Sequence, residues 1–174
     1  MGYMLNSLGN LPIEDDIEVY IFVVNGNWQG GFYDLIEKNF SNIARKIGSN
    51  AIIAKGLDQE QWTNEVAEKY FGENAGQLFQ ALPALLLTSD HPENISKESY
   101  KLIVPLRDVE SRFGDWDVFF KSLTKLAQGD DTEFLERFED VEDLIDKGNS
   151  VIELKPNFFG IGINLNALIA KVRG

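Results

Sequence analysis

The run Ile17–Val24, IEVYIFVV, constrains the fold more than any other stretch of the chain. Its β-branched and aromatic side chains favour a strand. Its last residues are apolar without alternation, so both faces of that strand need covering. A strand of this kind belongs inside an α/β domain, with helices packed on the two faces of a sheet.

The residues that follow agree with that demand. After Gly31 the apolar positions Phe32, Leu35, Ile36, Phe40, Ile43, Ala44 and Ile47 recur at helical spacing, and Gly48 is a natural stop. Residues 50–54, NAIIA, predict a second short strand. Residues 59–72 predict a second helix with Trp62, Val66, Tyr70 and Phe71 turned inward and Gly72 ending it. Residues 73–82, ENAGQLFQAL, fit either a short helix or a loop. Pro83 leads the apolar strand ALLLTSD, and a turn follows at HPEN. The strand YKLIVPL contains Pro105, which places it at a sheet edge or gives it a bulge. Residues 115–127 predict a third helix that begins on an Asp and lines up Trp116, Phe119, Phe120, Leu123 and Leu126. The order β-α-β-α-β-β-α implies a mixed sheet. Behind a joint at residues 129–131, residues 133–147 form a further amphipathic helix. The strand VIELK, the segment PNFFGIGIN and a last helix, LNALIAKV, complete the chain.

Composition removes several kinds of chemistry. With 174 residues, 44% of them hydrophobic, the chain can bury a real core. It contains no cysteine, so it supplies no disulfide, no thiolate nucleophile and no thiolate metal site. Its one histidine, His91, rules out a histidine-rich metal centre. A formal net charge of −12 repels phosphate backbones and anionic membrane surfaces, so neither nucleic acid nor membrane is an expected partner. The opening MGYMLNSLGNLP lacks the basic and long apolar regions of a signal peptide, and no apolar run approaches membrane-spanning length. A cytoplasmic protein is the expectation.

The turn between the first strand and the first helix carries a resemblance. From Val19 to Asp58 the chain reads as a buried strand, a Trp, a short turn opening a long helix, a second strand and an Asp. This order resembles thioredoxins, whose turn has the pattern W-C-G-P-C. The same slots here hold Trp28-Gln29-Gly30-Gly31-Phe32. The Trp and first Gly match, Gln29 and Phe32 replace both cysteines, and Gly31 replaces the proline. The family also places a cis-proline before the next strand, facing the turn, and Leu82-Pro83 in QALPALLLTSD looks like it. The resemblance covers roughly residues 15–127. It implies a thioredoxin-like three-layer α/β/α domain with a mixed central sheet over residues 1–128. A C-terminal helix-strand-helix extension, 129–174, would pack on that domain or serve assembly. It also implies that thiol-disulfide exchange and thiol peroxidase activity are absent, because both need the missing thiolate.

Each candidate site has a simpler reading beside the functional one. Trp28, Gln29, Gly30, Gly31 and Phe32 could offer a ring, an amide and free helix N-terminal N–H groups to a ligand or partner. They could equally be a strand–helix turn that needs glycine. Leu82 and Pro83 would lie beside that turn, where the family pairs backbone groups with an extended peptide. Tyr33, on the first helical turn, is the candidate for a glutathione-transferase-like or other small-molecule enzyme. His91, between Asp90 and Pro92, reads as an exposed loop residue. The acids Glu133, Glu136, Glu139, Asp140, Glu142, Asp143 and Asp146 lack EF-hand spacing and read as a solvated helix face, with a basic partner surface as the second reading. The pair Gly160 and Gly162 lacks the third glycine of a dinucleotide fingerprint. Phe158, Phe159, Ile161 and Ile163 suggest docking, onto the domain or onto another subunit. No metal and no cofactor is expected. The leading expectation is a non-enzymatic interaction or regulatory module with a protein partner, and a homo-oligomer is the further possibility.

Overall fold

The computed structural model describes residues 1–26, 31–95, 101–129 and 133–138. Five strands form one mixed sheet: β1 (Gly2–Leu5), β2 (Val19–Val24), β3 (Ala51–Gly56), β4 (Ala84–Thr88) and β5 (Lys101–Pro105). Their order across the sheet is β1-β3-β2-β4-β5. β3 runs parallel to β1 and β2, whereas β4 is antiparallel to β2 and β5 antiparallel to β4. The helices are α1 (Phe32–Lys46), α2 (Gln59–Phe71), α3 (Ala75–Ala81), α4 (Val109–Phe113), α5 (Trp116–Ala127) and α6 (Glu133–Glu136).

β2 occupies the middle of the sheet, and all of its residues are buried. Its odd residues Val19, Ile21 and Val23 join Ile36, Phe40, Ile43 and Ile47 of α1 and the aromatic residues of α4 and α5. Its even residues Tyr20, Phe22 and Val24 join Trp62, Val66 and Tyr70 of α2 and Leu78 of α3. Alternation along one strand thus divides the core into two, as an uninterrupted apolar run requires.

Local chemistry sets the helix limits. The Asp58 carboxylate accepts from the Gln61 N–H at 2.9 Å, and the Asp115 carboxylate accepts from the Val118 N–H at 2.8 Å. Each satisfies an N–H that the first helical turn leaves without a partner. Residues 73–82 resolve into α3 behind a short 3-10 turn, Gly72–Asn74. β5 is an edge strand whose Pro105 sits opposite Ala84, the position a donor-less residue tolerates.

β1 is the element the sequence pattern does not announce. Its side chains alternate between exposed and half-buried, so GYML shows no apolar run. Gly2 lets it approach α1: a Cβ there would lie 2.3 Å from the Ala44 Cβ. Of the helix expected over residues 133–147, α6 is described. Arg137 and Phe138 follow it as a turn, and residues 139–147 and the segment holding Phe158, Phe159, Ile161 and Ile163 lie outside the described residues. The end of α6 is fastened to α4 by reciprocal bonds, with each of Arg112 and Arg137 donating to the other's carbonyl at 2.8 Å.

Candidate functional site

The candidate site lies where β2 ends and α1 begins. Asn25, just past β2, is buried. Its N–H donates to Thr63 Oγ1 at 2.9 Å, and the Thr63 hydroxyl donates back to the Asn25 carbonyl at 3.0 Å. One residue earlier on α2, the Trp62 indole N–H donates to the Val23 carbonyl at 3.0 Å. Two adjacent side chains of α2 therefore hold the departing strand end. A Cβ on Gly56 would come within 2.2 Å of the Trp62 Cβ, so this contact also depends on glycine in β3.

Gly31 occupies the cap position of α1 with φ 61 and ψ −116, a backbone that glycine adopts without steric cost. Gly31 has no side chain with which to cap the helix. Phe32 opens α1, while Trp28, Gln29 and Gly30 lie outside the described residues. Across the sheet Val24 stands opposite Ala84, so the next residues of each strand, Asn25 and Pro83, are neighbours in register. The Leu82–Pro83 peptide bond is cis, as the sequence led us to expect. Leu82 is 8% exposed, and the Pro83 carbonyl accepts from the Leu106 N–H at 2.9 Å. Gly31, Phe32, Leu82 and Pro83 thus stand at the same end of β2 and β4.

Beneath this end lies a group that a residue-by-residue reading misses. Lys55, 8% exposed on β3, donates to the Glu37 carboxylate of α1, and its ammonium sits 4.9 Å from the centre of the Phe40 ring. Tyr33 lies one helical turn before Glu37. Burial first, and then hydrogen bonding and charge from Glu37, push the Tyr33 phenol well above its ordinary pKa. The phenol stays protonated, so it can donate a hydrogen bond but is a poor source of phenolate. The available signal was Lys55 itself, a charge inside the buried stretch AIIAKG.

His91 corrects a sequence expectation. It is 6% exposed rather than a surface loop residue. The Glu93 N–H donates to Nδ1 at 3.2 Å, which leaves Nε2 to donate to the Leu11 carbonyl at 3.2 Å. Its ring meets Tyr20 edge-on, with centroids 5.7 Å apart. The histidine fastens the segment around Leu11 to the turn after β4.

With this geometry in place, the chain can be set against known proteins. No family model, no curated protein and no solved structure matches it. The resemblance at residues 19–58 therefore rests on this chain's own residues. Among the described residues no group of His, Asp and Glu could hold a metal ion, and no helix is long and apolar enough to cross a membrane.

Proposed function

We propose that the chain is a cysteine-free thioredoxin-like binding module. In this reading Trp28–Phe32 and Leu82-Pro83 form one surface that holds an extended segment of a protein partner in the cytoplasm. The observation that carries it is the pairing of Val24 with Ala84, which brings the end of β2 that leads towards α1 next to the strand that Pro83 opens. The strand order, with the parallel β1, β3 and β2 flanked by antiparallel β4 and β5, supports the same reading. So does the lack of cysteine, which leaves the turn with recognition groups and no thiol nucleophile.

A backbone strand end and a helix start whose cap residue is glycine offer directional hydrogen bonds to a peptide main chain, and Trp28 offers apolar contact area. The alternative is a glutathione-transferase-like enzyme built on Tyr33. It is disfavoured as a source of phenolate, because the phenol is held protonated against Glu37.

Selection from a random linear-peptide library on the full chain tests the proposal. Peptides should emerge that bind the wild type and lose at least about tenfold in affinity to Trp28→Ala, equivalent to ~1.4 kcal/mol. Glu110→Gln, an exposed change on α4, should leave their affinity unchanged. Recovery of no such peptide, together with a clear thermal stabilisation by glutathione, would replace the module with the enzyme.

A further inference from the structure

One groove runs against the charge of the whole molecule. It lies between α1 and α5, has a volume of about 450 Å³, and is floored by Ile43 and Phe120. Lys46, Lys121 and Lys125 line it together with amide and hydroxyl groups, and Asp117 is its single acid. In a chain with 28 acids and 16 bases, such an excess of lysine in one concavity is out of proportion. Lys46 and Lys121 form no ion pair among the described residues. An ammonium in a groove with part-apolar walls is screened less than one on an open surface, so it attracts carboxylates more strongly.

We infer that this groove is the docking site for the acidic segment Glu139–Asp146 of the same chain. The sequence EDVEDLID carries Glu139, Asp140, Glu142, Asp143 and Asp146, with Val141, Leu144 and Ile145 between them. It pairs carboxylates for the lysines with apolar groups for the Ile43 and Phe120 floor. The point of departure also fits. Phe138, the residue just before the segment, packs in the same core as α1 and α5, against Phe113 and Phe134. From there, a stretch of four to eight residues spans roughly 13–26 Å when extended, enough to reach around a helix. Tethering raises the local concentration of the segment to the millimolar range, so modest contacts suffice. Nucleic acid fits the groove less well, because the net charge of −12 repels a phosphate backbone wherever it extends beyond the lysines. The acids that read from sequence as a solvated face with a basic surface as second reading acquire that surface within their own chain.

Zero-length carbodiimide cross-linking of the full chain, at a protein concentration low enough to keep chains apart, tests the assignment. Lys46, Lys121 or Lys125 should join to acids within 139–146 of the same chain, with yields falling several-fold at high salt. Glutamyl endopeptidase should cut after Glu142 several-fold faster in Lys46→Gln/Lys121→Gln/Lys125→Gln than in the wild type. The surface positions of Lys46 and Lys121 spare the fold, and far-ultraviolet circular dichroism checks it. Cross-links from these lysines only to other acids or to other chains would overturn the inference. Cleavage after Glu142 that ignores both salt and the lysines would overturn it too, as would tighter binding of a nucleic-acid oligomer than of a synthetic 139–147 peptide by the triple-lysine wild type.

Discussion

The two faces of the sheet are built from different aromatic residues, and the difference separates packing from positioning. On the α1–α5 face, Phe113, Phe119, Phe134 and Phe138 pack ring against ring with centroids 5.2–6.0 Å apart, and the guanidinium groups of Arg137 and Arg112 cover Phe113 and Phe138. On the α2–α3 face Phe22 and Phe71 pack beside three rings that each carry a polar atom tied to a backbone carbonyl. Trp62 is bonded to Val23, Tyr70 to Asp90 and His91 to Leu11. The first face can be repacked so long as volume is kept. The second fixes where loops leave the strands, and the candidate site is one of those loops.

The comparison breaks most visibly when each face loses a ring. Trp62→Ala and Phe119→Ala, both at fully buried positions, should each cost about 3–5 kcal/mol in urea unfolding. Conservative changes should then separate the faces. Phe119→Leu should cost under about 1.5 kcal/mol. Trp62→Phe, which leaves the Val23 carbonyl without its indole donor, should cost up to about 3 kcal/mol. Equal costs for the two conservative changes would erase the distinction.

Next in size is the ion pair between Lys55 and Glu37 on the phenylalanine face. Glu37→Gln deprives the nearly buried Lys55 of its counter-charge and should destabilise by up to about 3 kcal/mol. Lys55→Met/Glu37→Gln should recover most of that loss, because no buried charge then remains. A double variant as weak as the single one would show that the pair is not coupled.

Thr63→Val withdraws both of its hydrogen bonds from the Asn25 backbone, at a cost of about 1–3 kcal/mol. Its informative readout is local. Amide exchange at Asn25 and Gly31 should accelerate more than in the middle of β2, whereas a uniform increase would mean that α2 does not hold the loop.

The smallest effect is a pH dependence at Glu65. Burial raises its pKa, but hydrogen bonds from the Leu8 N–H, Gln61 and Ser7 outweigh this and leave it below the ordinary 4.5. The charged form is therefore preferred in the folded state. Its stabilisation is present above pH 4.5 and is lost as the pH falls through the lower folded value. The stability gap between wild type and Glu65→Gln should close over that acid window, and a gap independent of pH would contradict the assignment.

How much of this was legible beforehand follows from the range of the interactions. β2 declares itself as an uninterrupted apolar run, and α1, α2 and α5 declare themselves because their burial is periodic within one segment. Pro83 and Pro105 constrain their own strands. β1 is hidden by its half-exposed pattern, and it forms only because β3 offers an edge and Gly2 lets α1 come close. His91 looks exposed in sequence because its partner Leu11 lies 80 residues away. Lys55 and Glu37 become a pair only once α1 is laid across β3. Of the candidate site, Gly31, Phe32, Leu82 and Pro83 were legible, while the supports from Trp62, Thr63 and Lys55 required the packing.

The central claim is that residues 28–32 occupy the place of a redox turn on a scaffold of that kind. Oxidation of Gln29→Cys/Phe32→Cys tests it most directly, because disulfide geometry tolerates little error in the spacing of two Cα atoms. The account predicts an internal disulfide that forms readily in air, with thiol titration reading no free thiol and the chain still folded and monomeric in mass. A folded variant that keeps both thiols free, or links only between chains, would contradict it.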